Sequence, residues 1–73
     1  MTAKECGDFI AELRKENELT QKDLAERINV SDKAVSRWET GKGYPDVTSL
    51  VSLSEYFDVN VNELLSGKRL TDD

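Results

Sequence analysis

The chain has no histidine, one cysteine (Cys6) and one proline (Pro45). A lone thiol excludes an intramolecular disulfide, and without histidine a Cys/His zinc staple is excluded as well. The commonest general base is missing, and no paired carboxylates, phosphate-cradling glycine loop or activated nucleophile takes its place. Gly41-Lys42-Gly43 is too short for a phosphate loop and falls between two predicted helices. No catalytic residue, metal site or cofactor is therefore expected. No apolar run approaches the ~20 residues that cross a bilayer, and Met1 to Asp8 lack the apolar stretch of a signal peptide. No membrane partner is expected. With a single thiol, the expected compartment is a reducing cytoplasm. Cys6 itself reads as a small hydrophobe on the first helix.

Seventy-three residues make one domain at most. A core this small has to be stabilised by well-fitted helices, since neither a disulfide nor a metal can reinforce it. The net charge is −5, which argues against a generic nucleic-acid binder and makes the distribution of charge decisive. Residues 46–67 hold four acidic side chains and no basic one. Residues 20–45 hold Lys22, Arg27, Lys33, Arg37 and Lys42 against Asp23, Glu26, Asp32 and Glu39, and form the only net-positive segment. Low overall charge limits non-specific phosphate binding and fits a sequence-selective binder.

Apolar residues recur at helical spacing throughout, with no strand pattern, repeat or low-complexity segment. The first helix is predicted from about Lys4 to Glu16, with Cys6, Phe9, Ile10 and Leu13 on one stripe. Thr20 followed by Asp23 is a capping-box-like start for a second helix over Gln21–Ile28, with Leu24, Ala25 and Ile28 inward. Asn29 stands where the chain must turn sharply, and asparagine tolerates the left-handed conformation better than any residue but glycine. Val30 plugs the turn, and Ser31 caps a third helix over Asp32–Glu39. After the loop Gly41–Pro45, Asp46 caps a fourth helix, roughly Val47–Tyr56, with Val47, Leu50, Val51, Leu53 and Phe57 inward. Asn60 and Glu63 start a short fifth helix carrying Val61, Leu64 and Leu65, which Gly67 ends. Residues 1–67 are thus one domain, and 68–73 are expected to be a flexible tail.

Leu19-Thr20-Gln21-x-x-Leu24-Ala25, the turn at 29–31, Val35-Ser36-Arg37-Trp38-Glu39-x-Gly41, Pro45-Asp46 and Val59-x-Val61-x-Glu63-Leu64-Leu65 together form a pattern spanning nearly the whole chain. It resembles the helix-turn-helix of the phage repressor/Cro-type (XRE) family, departing only at Asn29, where that family often has glycine. The resemblance implies an all-α, compact five-helix bundle of lambda-repressor-like type, with helices 2 and 3 forming the helix-turn-helix. It also implies a sequence-specific binder of double-stranded DNA that regulates transcription, more often as a repressor, with the helix at 32–39 in the major groove.

Asp32, Lys33, Ser36 and Arg37 fall on one face of the third helix. Lys33 and Arg37 are the principal candidate base contacts, since cationic donors match the acceptors of guanine; Ser36 and Asp32 are the lesser ones. Taken alone, two exposed cations on a helix are usually a solvated face, and the surrounding motif is what turns the reading toward DNA. Asp32 reads more as a favourable charge at a helix start than as a base contact. Gln21, Lys22, Thr40, Lys42 and Tyr44 are the candidate phosphate contacts, Gln21 because helix starts favour anions. Trp38 reads as packing rather than base stacking. By the resemblance, Arg14 and Glu39 form a structural ion pair between the first and third helices.

One recognition helix reads only a few base pairs, so a homodimer on an inverted repeat is expected, with half-sites about one helical turn (~10 bp) apart. Val61, Leu64, Leu65 and Leu70 are the expected dimer surface, unless a further C-terminal domain dimerises and binds an effector. The alternative is a protein-interaction module of the same fold, antitoxin-like or associated with RNA polymerase.

Overall fold

The computed structural model describes residues 1–70. Five helices follow in order, α1 (Ala3–Glu16), α2 (Gln21–Ile28), α3 (Asp32–Glu39), α4 (Val47–Phe57) and α5 (Val61–Ser66). Each begins at a residue whose side-chain oxygen accepts an amide of the first turn: Thr2, Thr20, Ser31, Asp46 and Asn60. In α1, α2 and α5 the bond is reciprocated, by Glu5, Asp23 and Glu63, giving full capping boxes. The box at Thr2–Glu5 starts α1 one residue before the expected Lys4. Its Thr-x-x-Glu spacing is legible in the sequence. Asn29 ends α2 at φ 65°, ψ 44°, the left-handed geometry expected of it, and Asp58 does the same after α4. Helix α4 runs one residue past the expected Tyr56, to Phe57.

The core gathers one stripe from every helix: Cys6, Phe9, Ile10 and Leu13 from α1, Leu24, Ala25 and Ile28 from α2, Val35 and Trp38 from α3, Leu53 from α4 and Leu64 from α5. Leu19, Val30, Ala34, Leu50, Phe57 and Val59 close it from the connections and helix flanks. Cys6 is fully buried, and burial pushes its thiol pKa up, as fits a small hydrophobe and not a reactive group.

Helix α1 crosses α3 at Gly7, where a Cβ would stand 1.7 Å from the carbonyl oxygen of Trp38. Only glycine allows two backbones to meet so closely. Ala25, expected inward on α2, is buried too, at 2% exposure.

Two inward assignments on α4 are corrected. Val47 and Val51 are exposed, at 76% and 45%, while Ser49 and Leu53 are buried. The buried stripe runs through positions 49, 50, 53 and 57, and at 100° per residue Val47 and Val51 stand together on the opposite side. Apolarity alone set the phase wrongly, because Ser49 occupies an inward position.

Leu64 is also corrected as a dimer residue, being fully buried in the core. Of the expected tail, residues 71–73 lie outside the described residues. Leu70 donates its amide to Glu63 Oε2 at 2.8 Å, and Arg69 pairs with Glu16 at 2.9 Å. No helix among the described residues is long and apolar enough to cross a membrane.

Candidate nucleic-acid interface

The turn between α2 and α3 is built on one carbonyl. Ala25 O accepts the amides of both Asn29 and Val30, the latter at 2.9 Å. That pairing satisfies the end of α2 and forces the left-handed step at Asn29. Val30 then tucks against the core, and Val35 and Trp38 face inward from α3, fully and almost fully buried. With its back face so anchored, α3 presents Asp32, Lys33 and Arg37 to solvent and leaves Ser36 half-buried between them.

The four outward residues of α3 are not equivalent. Lys33 and Asp32 make no side-chain hydrogen bond or ion pair among the described residues, so both are free to meet a ligand. Arg37 folds back toward the loop after α3, its Nη2 3.5 Å from Lys42 O, a bond at the long limit. A Cβ on Gly43 would stand 3.1 Å from the same nitrogen, so the absence of a side chain there makes room for the guanidinium. Thr40 caps α3 and turns its hydroxyl onto the carbonyls of Ser36 (2.9 Å) and Arg37 (3.2 Å). To donate to a phosphate, Thr40 has to give up that contact. Lys22, Lys42 and Tyr44 are exposed.

At the start of α2, the Thr20 and Asp23 amides are taken by the capping box, at 2.9 and 3.0 Å. The bonds that accept from Thr20 hold the Asp23 carboxyl below its ordinary pKa. The amides of Gln21 and Lys22 have no acceptor among the described residues, the usual state of a first helical turn, and remain available as donors.

The Gln21 side chain is not free. Its Nε2 donates to Glu39 Oε1 at 3.0 Å. The same carboxylate receives Arg14, Nε to Oε2 at 2.7 Å and Nη2 to Oε1 at 2.9 Å, while Arg14 Nη1 reaches Leu19 O at 2.8 Å. The two charged side chains are only 12% and 7% exposed, and the bonds to Glu39 push the Arg14 pKa up. This cluster ties α1, the start of α2 and the end of α3 into one unit. The pair with Arg14 and Glu39 is therefore a three-residue junction including Gln21, a member the sequence pattern did not show. Gly7, missed as well, has one legible signal: an isolated glycine inside an otherwise regular helical stripe.

Among the described residues, no group of three or more potential metal ligands comes together.

The sequence profile of the helix-turn-helix family matches residues 10–64. The chain is 47% identical over 66 residues to the HTH-type transcriptional activator BcrR of Enterococcus faecalis, covering 90% of this chain and 32% of that protein. Among solved structures, it is similar to the P22 c2 repressor in complex with a synthetic operator, at a TM-score of 0.81 and 30% identity, covering 86% of this chain and 96% of that one. It is also similar to the N-terminal DNA-binding domain of SinR from Bacillus subtilis, at a TM-score of 0.76 and 31% identity, covering 82% and 88% of the two chains. The chain spans between 32% and 56% of the length of the curated relatives it matches. Five of these six are named as transcriptional regulators, activators or repressors and one as a multiprotein-bridging factor; none carries the name of an enzyme.

Proposed function

The chain belongs to the helix-turn-helix family of phage-repressor (XRE) type, and from that membership we propose that residues 1–67 are a sequence-specific DNA-binding domain of a transcriptional regulator, working in the cytoplasm. Helix α3 enters the major groove. Lys33 reads base edges, with Arg37, Ser36 and Asp32 beside it. The free amides of Gln21 and Lys22, with the side chains of Lys22, Thr40, Lys42 and Tyr44, meet flanking phosphates. The observation that carries this reading is the junction of Arg14, Gln21 and Glu39. It holds the donor end of α2 and the exposed face of α3 in one rigid relation, which is what simultaneous phosphate and base contact requires.

Repression is the mode named for the similar P22 c2 repressor, and activation the mode named for BcrR. Binding as a dimer to an inverted repeat follows from the small footprint of one helix. With Leu64 committed to the core, what remains of the expected self-association surface is Val61 and Leu65, both partly buried and one turn apart on α5, with the exposed Leu70. A further C-terminal domain, which both dimerises and binds an effector, is the alternative arrangement.

Selection from a randomised DNA pool at two salt concentrations, followed by sequencing, tests the reading. An enriched palindrome and a steep salt slope support a dimeric regulator. An enriched single half-site supports DNA reading with dimerisation elsewhere. If nothing is enriched, or if Lys33→Glu with Arg37→Glu leaves binding unchanged, α3 is not the reading element and a protein ligand becomes the better account.

A further inference from the structure

Glu63 is a buried carboxylate whose two oxygens serve two different elements. Oε1 accepts the amide of Asn60 at 2.9 Å and completes the capping box of α5. Oε2 accepts the amide of Leu70 at 2.8 Å, seven residues further on and beyond the end of the helix. The residue is 5% exposed, although a capping glutamate ordinarily stands in solvent. Three further contacts shape the segment between. Gly67, at φ 79°, turns the chain where a Cβ would come within 2.6 Å of Glu5 O on α1. The Lys68 amide returns to Glu63 O at 3.2 Å. Arg69 reaches Glu16, at the far end of α1, with Nη2 2.9 Å from the carboxylate.

We propose that residues 67–70 form a strap latched along α1 by the second oxygen of Glu63, so that the backbone is held to the domain as far as residue 70 and not only to the end of α5. A capping box alone needs one carboxylate oxygen. The second oxygen, buried and aimed at a backbone amide outside the helix, has no task in starting α5. Closing the strap covers that carboxylate and satisfies both its acceptors, which a buried charge requires. Because α1 crosses α3 at Gly7, the strap lies on the helix that sets the recognition helix, and residue 70 keeps a constant relation to the DNA-facing side. The inference does not depend on what that side binds.

Amide hydrogen exchange by NMR on the 73-residue chain tests it. The Leu70 amide exchanges at least about tenfold more slowly than in an unstructured peptide, while the Arg69 amide, which has no acceptor among the described residues, exchanges freely. In Glu63→Gln the side-chain amide replaces one acceptor by a donor, and the single remaining oxygen serves only one of the two amides, so protection is lost at Leu70 or at Asn60 while that of Leu64 and Val35 is kept. Wild-type protection at Asn60 with none at Leu70 overturns the proposal and leaves Glu63 as a helix cap only. That wild-type comparison decides the matter even if the variant fails to fold. Protection kept at both Asn60 and Leu70 in a folded Glu63→Gln variant also overturns it.

Discussion

Gly7 lies beneath the carbonyl oxygen of Trp38, so close that the smallest side chain would place a carbon 1.7 Å from that oxygen. Helix propensity and tertiary packing make opposite demands at this position. In an exposed helix interior, replacing glycine by alanine gains about 1 kcal/mol. Here it has to separate α1 from α3.

Gly7→Ala is therefore expected to destabilise, by about 2 kcal/mol or more, with the sign reversed from the propensity scale. Urea unfolding measures it. Unchanged or raised stability would mean that the helices cross less closely than this.

The buried junction gives a second expectation. Arg14→Ala strands the Glu39 carboxylate with only Gln21 for company, and the loss of one partner of a buried pair costs roughly 3 kcal/mol. Replacing both charges by leucine should cost clearly less than Arg14→Ala alone, because neither charge is then left unpaired. A double-mutant cycle in denaturant distinguishes this from simple loss of packing.

Asn29, at φ 65°, adopts a conformation that costs an ordinary side chain about 1–2 kcal/mol. Asn29→Ala should destabilise by about that amount, and Asn29→Gly should be neutral or slightly stabilising. Thermal unfolding of the two variants gives the order directly, and the reverse order would contradict a left-handed turn.

On a selected operator, Lys33→Ala should weaken binding by about 1–3 kcal/mol and relax the preference at one base pair. Arg37→Ala should weaken binding to the selected site and, to a smaller extent, to a scrambled one, because its guanidinium reads a base edge and also rests on the loop that carries Lys42 and Tyr44. Anisotropy titrations on both DNAs make the comparison. Equal weakening on both DNAs would mean that Arg37 reads no base.

Acid should unfold the domain through its caps. Glu63 is held below its ordinary pKa by the amides of Leu70 and Asn60, Asp23 by its bonds with Thr20, and Asp46 by the hydroxyl and amide of Ser49. A carboxyl lowered on folding stabilises fully above its unfolded value, near 4, and that contribution is lost as pH falls through the folded values. The melting temperature should stay level from pH 7 to about 5 and drop below about 4, with a shallower drop in Glu63→Gln. A melting temperature that holds to pH 3 would show that these bonds are not coupled to folding.

How far these features could be read in advance depends on the range over which each is determined. Helix order, the five caps (Thr2 with Glu5 included, though not anticipated) and the left-handed turn at Asn29 were legible, because each is set by residues within one turn of one another. Thr20 and Asp23, or Asn60 and Glu63, meet in any chain that forms the helix. The charged face of α3 was legible for the same reason, since helical periodicity alone places Lys33 and Arg37 together. The phase of α4 was not, because Val47 and Val51 satisfy apolarity but not geometry, and only the neighbouring helices decide which stripe they bury. Tertiary structure alone also placed Gln21 on Glu39, brought Gly7 under Trp38 and sent the second oxygen of Glu63 to Leu70. Each of these contacts depends on where separately formed elements come to rest against one another. Local sequence therefore determined the helices and their ends, and packing between distant segments decided which side chains remain free to meet a ligand.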